Sequence, residues 1–222
     1  MDATTKYNRC YLGNGWTLGA TGRELVNTLI NDEDFNQVSI FVRKAPDLEH
    51  EKLKIHIIDF NEIIKHKELI KGDILFSSLG TTKKEAGGKQ RQYIIDYTYQ
   101  YEFAKIAAEN GVDQLSLVSS IGANPKSFMF YPKMKGELES DVKKLKFKKI
   151  DIFQPPILIR QPEVIRKAEK KAISIIQKLN KLGILKSQQP LMVSNLAERM
   201  VKTAKTNSKE KVNTYLPKEL FN

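Results

Sequence analysis

Short apolar runs alternate with helical patterns along the chain. Residues 7–12 (YNRCYL), 37–43 (QVSIFVR), 53–58 (LKIHII), 73–79 (DILFSSL), 114–119 (QLSLVS) and 149–153 (KIDIF) are predicted strands. Each is rich in branched or aromatic residues, too short for a stable helix, and mostly bounded by glycine, proline or polar residues. Between them lie helical periods. Leu25, Val26, Leu29 and Ile30 share one face of 22–31, and 61–70 is also helical. KKEAGGKQRQ at 83–92 reads as a loop. A long helix over 93–110 stops at Asn110-Gly111, a C-terminal signal. Further helices are predicted at 131–144, 163–181 and 193–204, and a short last strand at 212–215.

Strand and helix alternating in steps of this length imply βαβ units. The expected fold class is α/β, a doubly wound, mostly parallel, Rossmann-like sheet. Right-handed crossovers put helices on both faces. With no repeat and no linker, residues 1–222 read as one domain, and about 155–222, poorer in strands, as a small cap on the substrate side. Ligands of such folds lie along the carboxyl edge of the sheet, where the strand order reverses.

Composition narrows the class. Hydrophobic residues make up 41% and charged residues 28%, an ordinary globular balance. The lone Cys10 excludes an internal disulfide and fits a reducing compartment. No apolar run approaches the roughly 20 residues of a spanning helix. The start, MDATTKYNRC, lacks the apolar core of a signal peptide, so a cytoplasmic location is expected. The net charge of +11 would suit nucleic acid, an anionic membrane or a phosphorylated cofactor. The lysines are dispersed among acids, which favours a solvated surface. No aromatic residues interleave with basic ones, so no specific nucleic acid is expected. Residues 163–181 are amphipathic and basic, which permits peripheral membrane contact, though packing on the domain itself is the favoured reading.

Three sets of residues could carry chemistry. Gly13, Gly15, Gly19 and Gly22 lie between the first strand and first helix. A pyrophosphate needs that context: a tight turn, bare backbone and helix N-terminal amides. The spacing is irregular, and a plain glycine-rich loop is the alternative. Arg43 and Lys44 follow the second strand, where an acid would mark NAD; two cations suit a 2′-phosphate and favour NADP over NAD. Tyr131-x-x-x-Lys135 places a phenol and an ammonium one helical turn apart. A neighbouring ammonium should lower the phenol's pKa and ready it for proton exchange with a carbonyl or alcohol. The spacing alone is weak. With 8 tyrosines and 37 Lys+Arg in 222 residues, about one such pair arises by chance, and Tyr101-x-x-x-Lys105 also matches. Position favours Tyr131, just after a strand that ends in Ser119 and Ser120, either of which could hold a substrate oxygen. His50, His56 and His66 stand apart, so no metal site is expected.

LGATGRELV at 18–26, LGTTKKEAGG at 79–88, LVSSIGAN at 117–124 and FYPKMKGELESDVKKLKF at 130–147 together resemble the atypical short-chain dehydrogenase/reductases. The resemblance covers roughly 7–160. It implies a Rossmann fold with NADP(H) held by Gly19, Ala20, Thr21, Gly22, Arg43, Asp59, Leu79, Gly80, Thr81 and Lys135. It further implies a catalytic set of Ser120 (or Ser119), Tyr131 and Lys135, acting on a small carbonyl or alcohol substrate. Its fungal branch adds peripheral placement on the mitochondrial outer membrane as an option. A cofactor-holding module that regulates a protein partner is the alternative function. Two departures stand out: Trp16 sits where the family has a glycine, and Gln154-Pro155-Pro156 replaces Arg-Pro-Gly.

Overall fold

The computed structural model describes residues 7–12, 18–159 and 189–221. Seven strands form one sheet: β1 (Tyr7–Leu12), β2 (Phe35–Val42), β3 (Leu53–Ile57), β4 (Ile74–Ser77), β5 (Gln114–Val118), β6 (Lys149–Phe153) and, last, β9 (Val212–Tyr215). Their order is β3-β2-β1-β4-β5-β6-β9, with all neighbours parallel. The chain first winds from β1 to β3, then returns to β4 on the other side of β1. The strand order therefore reverses between β1 and β4, where folds of this kind take their ligands at the carboxyl edge. The sheet is the doubly wound Rossmann-like one expected.

Parallel sheets bury both faces, and the strand sequences follow from that. In β6, Ile150 and Ile152 point into one core while Phe153 joins the other. The first core lies beneath α4 (Tyr99–Glu109) and α5 (Phe130–Val142), built on Phe41, Phe103, Leu117 and Leu138. Phe41 and Phe103 meet edge to face at 4.9 Å. The second core lies beneath α1 (Ala20–Ile30) and α6 (Val193–Ala204), built on Leu25, Leu29, Phe76 and Met200.

Several boundaries moved for physical reasons. Residues 60–69 form 3-10 turns, not an α-helix, with a kink at Glu62. The expected loop at 83–92 holds α2 (Lys83–Ala86) and the start of α3 (Lys89–Tyr93). Thr82 and Glu85 close a reciprocal capping box on α2, and Gly87 ends it at φ 82°. The expected long helix is continuous from α3 to α4 but passes through a π-helical stretch, Ile94–Thr98. Of the stretch expected as a cap, α6 covers a face of the main sheet and β9 is its edge strand, while β7 (Leu158–Ile159) and β8 (Leu191–Met192) pair in a small separate sheet. The basic pattern at 163–181 lies outside the described residues, as do Gly13, Gly15 and Trp16.

One feature of β6 breaks the apolar rule. Lys149 and Asp151, both nearly buried, pair at 3.1 Å on the α6 side. Lys149 Nζ also donates to the carbonyls of Thr203 and Thr206, each at 2.7 Å, where α6 ends. A cation is favoured there by the helix dipole. Removing one partner of a buried pair strands the other. Lys149→Met should therefore cost about 3–5 kcal/mol, read as a lower urea midpoint with an unchanged slope.

Candidate active site

Parallel pairing delivers the described strand-end candidates to one edge. Gly19, Ala20, Thr21 and Gly22 open α1 on the chain leaving β1. Arg43 and Lys44 follow β2, and Asp59 follows β3. Leu79, Gly80 and Thr81 follow β4, and Ser119 and Ser120 follow β5. The structure thus brings both phosphate-side and proton-side candidates to the same rim. The Tyr101–Lys105 pair is on α4, where Tyr101 stacks on Tyr97 at 5.9 Å.

Helix α5 and the loop after β5 are locked together. An added Cβ at Gly136 would lie 2.3 Å from the backbone of both Asn124 and Pro125. No other residue fits without moving the loop. Asn124 N–H donates to the Pro132 carbonyl at 2.9 Å, and Gly122 turns the loop at φ 77°. On the strand side, Ser119 N–H donates to Phe153 at 2.7 Å and Ile121 N–H to Pro155 at 3.0 Å. These ties set Ser120 beside Tyr131 on the first turn of α5, close enough for its hydroxyl to act on the phenol, while Ser120 Oγ donates to the Ile121 carbonyl at 3.3 Å.

The two serines differ. Ser119 is buried and donates to Glu139, whose carboxylate also accepts from Gln154 Nε2 at 3.0 and 3.1 Å. Ser119 is thereby committed to a closed interior network. Ser120 is half-buried beside the phenol. Gln154, which departs from the family's Arg, is part of that network.

Tyr131 keeps 38% of its surface exposed, yet its hydroxyl end is crowded. Burial pushes the phenol up to about 12, the charge of Asp96 pushes the same way, and the Ser120 hydrogen bond opposes both. The sequence led us to expect the opposite shift, driven by Lys135. The ammonium of Lys135 is instead turned inward, 3.4 Å from the Val118 carbonyl. Lys135 is 2% exposed, and burial lowers its pKa against the pull of Asp96 and Glu139.

The opposite wall of the crevice has donors to spare. Gly19 caps α1 without a side-chain acceptor, and the first turn carries no acid. Among the described residues nothing acidic answers its amides, which suits an anion. Gly80 has open space where a Cβ would stand. Leu79 is buried in the first core, so it can offer only backbone to the crevice. Arg43 is half-buried and Lys44 exposed. Asp59 accepts from its own neighbour, Asn61, at 2.9 Å (N–H) and 2.8 Å (Nδ2). Space for a side chain at Gly80 and an α1 first turn that carries no acid fit the approach of a dinucleotide. Among the described residues, no group of three or more His, Cys, Asp or Glu could hold a metal ion.

Comparison with known proteins agrees with this geometry. A family model described as NAD(P)H-binding matches residues 18–150. The chain belongs to this NAD(P)H-binding family. Its relatives place it with the atypical short-chain dehydrogenase/reductases. Protein FMP52, mitochondrial, of Candida albicans is 35% identical over 64% of this chain and 66% of its own length. Protein HTATIP2 of Rattus norvegicus is 30% identical over 68% of this chain and 64% of its own length. The chain thus matches just under two thirds of these relatives. Among solved structures, the Bordetella bronchiseptica enzyme WbmH in complex with NAD+ superposes with a TM-score of 0.70, at 12% identity, covering 93% of this chain and 74% of that one. A UDP-N-acetylglucosamine 4-epimerase from Methanobrevibacter ruminantium gives 0.66, at 16% identity, covering 96% and 86%. At such identities these two speak for the fold alone.

Sequence reasoning missed three residues that pack around these candidates. Asp96, Glu139 and Gly136 carry no signal by composition. Gly136 and Glu139 lie inside the quoted helix run at 130–147, where a glycine in mid-helix was the available clue. Asp96 is fully buried on the π-helical stretch; one oxygen accepts from Thr81 N–H at 2.7 Å and the other has no partner.

Two outcomes follow. Gly136→Ala should lower stability by about 1–3 kcal/mol through overpacking, read by chemical denaturation. Burial raises the Asp96 carboxyl from 3.8 to about 6, so the folded state holds its proton more tightly than the unfolded chain does. The stability this gives is complete below pH 3.8 and lost as pH rises through about 6. Asp96→Asn should flatten that fall, worth on the order of 3 kcal/mol, in unfolding curves taken across the interval.

Proposed function

We propose that this protein is an NADP-dependent oxidoreductase of the short-chain type, acting on a small carbonyl or alcohol. The observation that carries the proposal is the contact of Ser120 with Tyr131, one turn from the buried Lys135, at the edge where the cofactor loops converge. In carbonyl reduction, Ser120 orients the substrate oxygen and Tyr131 Oη passes it a proton. Lys135 holds the ribose. Bound NADPH supplies the hydride that completes the alcohol, as the cofactor's own chemistry. A phenol at about 12 is protonated at neutral pH and remains more acidic than an alcohol, so donation to a developing alkoxide runs downhill.

NADP rather than NAD is supported by Arg43 and Lys44 after β2, where no acid meets the adenosine ribose. The remaining candidates take the roles the loops suggest. Gly19 to Gly22 receive the pyrophosphate, Asp59 lies toward the adenine, and Leu79 to Thr81 line the nicotinamide side by backbone. The fungal relatives' name, mitochondrial, supports placement at the mitochondrion. No helix among the described residues is long and apolar enough to cross a membrane.

Fluorescence titration with NADPH and NADH tests the proposal. NADPH should bind at least tenfold more tightly, and Arg43→Ala should erase most of that preference. With a carbonyl substrate in hand, Tyr131→Phe should lower kcat at least a hundredfold while cofactor affinity holds. Failure to bind either nucleotide overturns the oxidoreductase reading and favours a protein-interaction role.

A further inference from the structure

Lysines are dispersed among acids over most of the chain, but two stretches depart from that pattern. Residues 83–91 and 122–133 together hold six cations and one acid: Lys83, Lys84, Lys89, Arg91, Lys126 and Lys133 against Glu85. All six cations are exposed, and Glu85 is engaged in the capping box with Thr82. The two stretches meet in space, because Lys89 Nζ stands over the Phe130 ring at 5.6 Å. Out of this basic ground projects an apolar tip. Phe128 is fully exposed, and Met129 is 67% exposed. Single exposed apolar residues are ordinary. This tip is different, because its own backbone bonds hold it outward. Asn124 Oδ1 accepts from Lys126 N–H at 2.9 Å, the Asn124 carbonyl from Ser127 N–H at 3.0 Å, and Ser127 Oγ from Met129 N–H at 3.1 Å. The base of the loop is fixed in turn by the close approach of Gly136. Phe128 cannot fold back onto the core without breaking these ties.

We propose that the Phe128–Met129 tip docks on an anionic membrane surface, its two side chains entering the interfacial layer while the cations around it meet lipid phosphates. Two features favour lipid over other anions. The tip is apolar at its most exposed point, so it gains by entering a soft apolar medium and gains nothing from a rigid polyanion. Duplex DNA would answer the cations but leave Phe128 and Met129 in water. The cations also stand on both sides of the tip in the chain and beside it in space, so that attraction to the surface and apolar burial act together. The docking goes beyond the oxidoreductase reading and does not depend on it. Tyr131 follows Met129 by two residues, so docking brings the candidate site to the lipid surface.

The test is sedimentation of the full chain with sucrose-loaded vesicles, made of phosphatidylcholine alone or with about one-third phosphatidylserine. The protein should sediment with the anionic vesicles, little with the neutral ones, and less as salt is raised. Phe128→Ser combined with Met129→Ser should lower the partition coefficient about tenfold, and Lys89→Glu combined with Lys126→Glu by a similar factor. All four side chains are exposed, so both variants should keep the urea midpoint of the parent, which secures the comparison against misfolding. No sedimentation with anionic vesicles overturns the proposal, and binding to duplex DNA in that case turns the basic ground over to nucleic acid. Vesicle binding undiminished in the serine variant also overturns it, by placing the contact elsewhere, such as the basic pattern at 163–181. A serine variant that changes oligomeric state in size-exclusion chromatography while vesicle binding holds overturns it too, making the tip an interface between copies. The vesicles are read without nucleotide, so failure here leaves the oxidoreductase reading standing, and failure to bind NADPH leaves the docking standing.

Discussion

All six junctions of the main sheet are parallel, so every strand hands its chain to the next segment at the same edge. The rest of the structure depends on that constraint. It gathers a glycine turn, two cations, the Leu79-Gly80-Thr81 loop and the Ser120–Tyr131 pair from stretches about a hundred residues apart. It also obliges each crossover to pass back over a face, which is why both faces are buried and the strands are apolar on both sides. The exception, Lys149 with Asp151, is tolerated because the ammonium also takes two carbonyls where α6 ends.

Within that frame the site turns on one close approach. Helix α5 meets the loop after β5 with no room for a methyl group at Gly136. That contact brings Ser120 to Tyr131 and presses Lys135 into the interior. Burial then costs the lysine its easy charge and raises the phenol. The electrostatics of the site are thus a consequence of packing.

Much of this was legible in the sequence because it rests on periodicity. The strands at 53–58 and 149–153 and the helix faces of Leu25 and Leu29 follow from apolar spacing, and the edge placement of Arg43 and Tyr131 follows from strand order. The α2 capping box was present as Thr82 and Glu85, but the glycine pair beside it read as loop. What stayed hidden depends on three dimensions. Nothing local marks Asp96 as buried, because a π-helical turn inside an otherwise regular helix sets its direction. The distinction between Ser119 and Ser120 needed the partner on α5. The expected effect of Lys135 on Tyr131 failed because spacing along a helix says that two side chains can meet, not that they turn toward each other.

That last difference bears on the direction of the proposed chemistry. A tyrosine activated by a facing ammonium would suit proton removal from an alcohol. Tyr131 stands the other way: burial and the Asp96 charge both hold its proton on. Carbonyl reduction needs a phenol that remains protonated until charge develops on the substrate oxygen, and an alkoxide is basic enough to take the proton even from a phenol at about 12. The reverse reaction would start from a phenolate that this environment disfavours by about two pH units relative to free tyrosine, close to a hundredfold in population. The environment of Tyr131 therefore suits reduction.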